Sequence, residues 1–150
     1  METLQKAKVM KHLLIITAAC WCMLLAACSR GFDPVDYGKD ACAHCRMTIV
    51  DHRYAAELVT EKGRAYKFDD LQCMRQLMAA EKPQGHSLLF VESYLGQPNA
   101  PLDATKAVYL KHEFFATPMN GHYAAFASAA DAQSFMDSLN IPALRWEELE

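Results

Sequence analysis

Apolar and polar positions change period several times between residues 55 and 140. Short runs rich in Val, Leu, Phe, Tyr and Ala recur at 55–60 (AAELVT), 64–69 (RAYKFD), 86–95 (HSLLFVESYL), 106–115 (KAVYLKHEFF) and 122–128 (HYAAFAS), and read as strands. Two longer stretches carry a helical period. In 70–80 (DLQCMRQLMAA), Leu71, Met74, Leu77 and Met78 fall at i, i+3, i+6 and i+7, with Asp69 or Asp70 at the N-cap. In 128–140, Phe135, Met136 and Leu139 share a face behind Ser128 as cap. Glu61-Lys62-Gly63 is a hairpin turn with glycine where a positive φ is called for, and TPMNG forms a second turn before 122–128. The stretch 96–105, with Pro, Asn and Asp, is a link.

The two halves look like copies. Setting Gly63 against Gly121 also sets Phe68 against Phe126, Leu77 against Phe135 and Met78 against Met136. Each half then runs strand, turn, strand, helix, followed in the first half by another strand. Antiparallel hairpins followed by helices indicate an α+β fold of two similar ββαβ units, about 42–98 and 99–150, and not a doubly wound parallel sheet.

The first thirty residues have a different character. Lys6, Lys8 and Lys11 precede an apolar run at 13–27, the layout of a secretory signal. That run is shorter than the roughly 20 apolar residues that span a bilayer. "MKHLLII" from Met10 is already a complete basic-to-apolar start. The run ends in Leu25-Ala26-Ala27-Cys28, which resembles the lipobox of bacterial lipoproteins. In that class the signal, here 1–27, is cut before the cysteine, and Cys28 takes the lipid. Several acyl chains make a durable anchor, since each buried methylene contributes about 0.8 kcal/mol. Ser29 after the cysteine implies, by analogy with Gram-negative lipoproteins, sorting to the outer membrane, facing the periplasm. Residues 28–41, polar with Gly and Pro, then read as the lipidated cysteine and a tether, and 42–150 as the folded unit.

Six cysteines become three after processing: Cys42, Cys45 and Cys73. An odd number leaves at least one thiol without a partner in the chain. The formal net charge is −3 and the basic residues are dispersed, so nothing points to nucleic acid. There is no G-x-S-x-G, P-loop or H-E-x-x-H, so the chain is expected not to be an enzyme.

The candidate chemistry lies in "CAHCRM", residues 42–47. Haem attachment needs histidine where Arg46 stands. Structural zinc wants two further Cys or His at paired spacing, and Cys73 alone is a poor partner. A redox disulfide between Cys42 and Cys45 is the alternative function, a periplasmic thiol-disulfide oxidoreductase. The residues that follow show no helix whose dipole would lower a thiol pKa. Copper(I) fits better, being soft and content with two to four thiolate, thioether or imidazole ligands. Cys45 and Met47, two apart in an extended segment, project to one face. Cys42 is a third ligand or a reserve thiol. Met119 and His122, in and after the second turn, form a further soft pair, with capping of the core as the competing role for Met119. Cys73 and Met74 lie on the helical stripe, where packing is the simpler role. Asp69 and Asp70 are most simply N-caps.

A lipobox, then C-x-x-C-x-M, "YKFDDLQCM" and "TPMNGHYAAFAS" together resemble the NosL family of copper-binding lipoproteins. The resemblance covers most of the chain after the lipobox. It implies two ββαβ units related to a domain of organomercurial lyases. It also implies delivery of copper(I) to apo nitrous oxide reductase for its copper-sulfide centre, in cooperation with a membrane ABC-type complex. The family's Cys-x-x-Cys-Gly-Met falls on Cys42, Cys45, Arg46 and Met47, with Arg46 in place of the usual glycine. Cys45 and Met47 are then the expected ligands, Met119 closes the site from the second unit, and Cys42 or His122 completes it. A soft-metal protein of the same fold that handles mercury is a third class compatible with these residues.

Overall fold

The computed structural model describes residues 31–82 and 85–149. The expected signal, the lipobox and Cys28 lie outside the described residues. Among the described residues, six strands and two α-helices follow in the order β1 (Ala56–Val59), β2 (Ala65–Phe68), α1 (Leu71–Glu81), β3 (Leu88–Val91), β4 (Leu102–Asp103), β5 (Val108–Lys111), β6 (Tyr123–Phe126) and α2 (Ala129–Leu139). Single 3-10 turns stand at His52–Tyr54 and Trp146–Glu148. Among the described residues, no helix is long and apolar enough to cross a membrane.

All strand pairs are antiparallel. One sheet has the order β2-β1-β3-β4, and the second is the β5-β6 hairpin. Both halves repeat one plan. Ala56 faces Phe68 in the first hairpin, and Val108 faces Phe126 in the second. Asp70 and Ser128 cap the two helices through their side chains. Lys82 and Asn140 end them in the left-handed conformation. The third strand differs. Where β3 pairs along the whole of β1, the second unit has a single bridge, Leu144 to Tyr109 on β5. The link at 96–105 also contains β4, a two-residue strand on the edge of β3 that its Pro-rich composition conceals.

The aligned glycines do different work. Gly63 has φ +81 in the β1–β2 turn, where it supplies a left-handed residue without steric cost. At the second turn Asn120 and His122 take the positive φ, 56° and 59°. Gly121 is there for closeness: a Cβ on it would sit 2.9 Å from Gln72 Cβ and 3.1 Å from Asp70 Oδ1. The second turn is therefore pressed onto the start of α1.

Two cores result. Ala56, Leu58 and Phe68 of the sheet meet Leu71, Cys73, Met74 and Leu77 of α1, joined from the second unit by Tyr109, Tyr123 and Ala125. The other face of the β5-β6 hairpin, Leu110, Ala124 and Phe126, meets α2 through Ala132, Phe135, Met136 and Leu139. The second hairpin thus lies between the two helices and locks the units together.

The remaining face of the four-stranded sheet is covered by residues 32–40, the stretch whose composition suggests a tether. Phe32 packs edge-on against Phe90 at 5.7 Å, Val35 is buried, and its backbone exchanges hydrogen bonds with the Asn99 side chain. Lys67 Nζ donates to Pro34 O at 2.7 Å and pairs with Asp40 and Asp33. Under this strap lie two buried carboxylates. Glu57 on β1 accepts from Asp33 N–H, and Glu92 just after β3 accepts from Tyr37 OH and Asn99 N–H.

Candidate metal centre

The CAHCRM segment is a tight loop with no helix after it. Cys42 N–H donates to Met47 O at 2.8 Å, Arg46 N–H donates to Cys42 O at 3.1 Å, and Ala41 bridges Thr48. Closing so short a loop requires one residue with positive φ, and that residue is Arg46 at 70°. An L-residue there costs about 1–2 kcal/mol relative to glycine's freedom. Ala43 N–H donates to Lys67 O, which lays the loop beside β2.

That placement sets the loop against the β2–α1 junction. Asp69 leaves the strand there, Asp70 caps the helix by accepting from Gln72 N–H, and Cys73 occupies the first helical turn. The sulfurs of Cys42, Cys45 and Cys73 and a carboxylate oxygen of Asp69 all lie within 4.8 Å of one another. Cys42 and Cys73 are fully buried, while Cys45 is partly exposed. All three are free thiols. Cys45 Sγ donates to Asp69 at 3.3 and 3.5 Å.

The three thiols are unequal in acidity. A hydrogen bond from the Cys73 thiol, helped by backbone N–H groups of Asp69 and Cys45, draws Cys42 below the ordinary thiol range. Serving as that donor, and buried, Cys73 is held far above it. Burial pushes Cys45 up, and its hydrogen bonds to Cys42 and Asp69 add to the rise. The start of α1 adds the partial positive charge that favours an anion there. The cluster therefore concentrates one negative charge on its innermost sulfur. Chemically it can lose protons to a soft cation or exchange disulfides among its three sulfurs; a carboxylate is its one hard donor.

Cys42 and Cys45 come together as the spacing suggested. They are joined by Cys73 and Asp69, which the helical stripe and the cap position had explained without chemistry. The odd thiol count was the available signal for Cys73, since a cysteine on a core stripe otherwise looks like any small hydrophobe. Met47 stands two residues beyond Cys45 and is 43% exposed, but the segment is not extended as expected: left-handed Arg46 lies between them, so the strand alternation that would put both side chains on one face does not hold. Met119 is half-buried against the first core, and its N–H donates to Asp70 Oδ2 at 3.0 Å. That bond fixes the second turn to the same helix end that carries Asp69 and Cys73. His122 is not part of the thiol group. Its N–H donates to Thr117 Oγ1, and its Nδ1 lies 3.0 Å from Phe115 O.

The family model that matches this chain is NosL, over residues 36–150. A solved structure described as the copper chaperone NosL from Shewanella denitrificans superposes with a TM-score of 0.67 at 17% sequence identity, covering 81% of this chain and 96% of that one. At that identity the likeness establishes a shared fold. No curated protein matches the chain.

Proposed function

Because the chain belongs to the NosL family, we propose that it carries copper(I) as cargo and hands it to apo nitrous oxide reductase during assembly of the copper-sulfide centre. One observation carries the reading: of three converging thiols, only Cys45 reaches the surface, and a 43% exposed thioether, Met47, follows it two residues later. A thiolate and a thioether make a soft pair that holds copper(I) against harder ions. An exposed pair also leaves the ion open to attack. Met119 closes the site from the turn docked on α1, with His122, or Cys42 in the fully reduced chain, as the further donor. Transfer runs by ligand exchange: an acceptor sulfur or imidazole binds the two- or three-coordinate ion before Cys45 lets go.

The same proposal places the chain as an outer-membrane lipoprotein facing the periplasm, anchored through Cys28 and working beside a membrane ABC-type complex. It performs no catalysis of its own in this scheme. The test is delivery. Copper(I)-loaded protein mixed with apo nitrous oxide reductase should lose its metal to the enzyme and raise its activity. If copper stays with the carrier while a copper(I) salt alone loads the enzyme, the delivery reading fails.

A further inference from the structure

We propose that Cys42 and Cys73 form a disulfide inside the fold, with Cys45 as the relay thiol through which the oxidation enters and which ends free. The inference rests on the proposed periplasmic location for its setting, and on geometry for its pairing.

Three sulfurs lie within 4.8 Å of one another, and two of them are sealed from solvent. No bulky oxidant can reach Cys42 or Cys73 in the folded chain. Cys45 is accessible and touches both the solvent and the cluster. An external disulfide, X–S–S–X, exchanges first with Cys45, the accessible thiol, which gives up its proton as it attacks, giving Cys45–S–S–X and one X–S⁻. Cys42, a buried sulfur within 4.8 Å of Cys45, attacks the Cys45 sulfur and expels the second X–S⁻. Cys73 then attacks Cys42 and returns Cys45 as a thiolate. Two cysteines have lost two electrons, the external disulfide has gained them, and each X–S⁻ takes up a proton. The oxidant is any small-molecule or protein disulfide of an oxidising compartment.

The final pairing is favoured over its intermediate by position. A Cys42–Cys45 bond joins two residues of one short loop that is already closed by its own hydrogen bonds. A Cys42–Cys73 bond ties that loop to the first turn of α1 and closes a much longer stretch of chain, which constrains the unfolded state more. It also settles the odd thiol count: two sulfurs are removed from metal chemistry, and the third, two residues before Met47, remains as the thiol that exchanges its proton for cargo.

Peptide mapping tests this directly. The reduced protein is incubated with oxidised glutathione, alkylated with iodoacetamide and digested with trypsin. The expected product is peptide 40–46 linked to peptide 68–75 through Cys42 and Cys73, with Cys45 alkylated. Cys42–Cys45 within peptide 40–46, Cys45–Cys73, glutathione retained on Cys45, or three alkylated thiols would each overturn the proposal. Cys45→Ser should slow formation of the linked pair at least tenfold, and an unchanged rate would overturn the relay. The mapping uses no metal, so a chain that forms this bond but binds no copper refutes the carrier reading alone.

Discussion

Glu57 offers a test of the strap. It sits in the middle of β1, fully buried, with one oxygen accepting from Asp33 N–H at 2.9 Å and Oε2 without a hydrogen-bond partner. Around it stand Asp33 and Lys67, and beyond them Glu92 with its own unpartnered oxygen. Burial raises Glu57 from 4.5 to about 7. The native state therefore holds a proton on Glu57 between pH 4.5 and 7 that the unfolded chain has lost. Its contribution to stability is fully present below pH 4.5 and is lost as pH rises through 7. At about 1.4 kcal/mol per pH unit, the interval corresponds to at most about 3.5 kcal/mol, less if water enters beneath the strap.

Glu57→Gln keeps the shape and the acceptor and cannot ionise. Urea unfolding of both proteins at pH 4.5, 6, 7 and 8 should show the variant gaining on the wild type by about 2–3 kcal/mol across the range. Taking the difference cancels the thiols, which titrate in both. A difference that stays flat from pH 4.5 to 8 would refute the reasoning, because it would mean that Glu57 ionises natively as freely as in the unfolded chain.

Arg46→Gly relieves the left-handed residue of the CAHCRM loop but loosens the unfolded chain. The net expected gain is about 0.5–1 kcal/mol, read as a rise in melting temperature. Gly121→Ala drives a methyl against Gln72 and Asp70 and should cost about 1–3 kcal/mol in urea unfolding. Asp70→Ala removes both the helix cap and the anchor of Met119; a loss of about 2–3 kcal/mol in the same assay is expected, against under 1 kcal/mol if only an exposed cap were lost.

Helices and hairpins were legible because each buries one face, and a buried face leaves its period in the sequence. The repeat was legible for the same reason, down to Phe68 with Phe126. The strap was not: Phe32, Val35 and Tyr37 are three apolar side chains among Asp, Pro, Gly and Lys, and three contacts make no period. Nor was Glu57, a carboxylate at a strand position whose alternation reads as solvent-facing until 32–40 is laid over it. In the site, C-x-x-C announced itself by spacing. Cys73 and Asp69 meet it only through tertiary packing, because Ala43 binds Lys67 and brings the loop to a junction some 25 residues on in the chain. Arg46 shows the reverse case, where the loop keeps the conformation that glycine would take freely and the chain bears the strain.

In the proposed function the sulfur of Cys45 and the thioether of Met47 hold copper(I). Titration of the protein with copper(I) under a competing chelator tests it most directly. The expected result is about one tight equivalent for the wild type, loss of it in Cys45→Ser, and affinity at least tenfold weaker in Met47→Ala, about 1.4 kcal/mol or more. Met47→Ala titrating as the wild type does would contradict it.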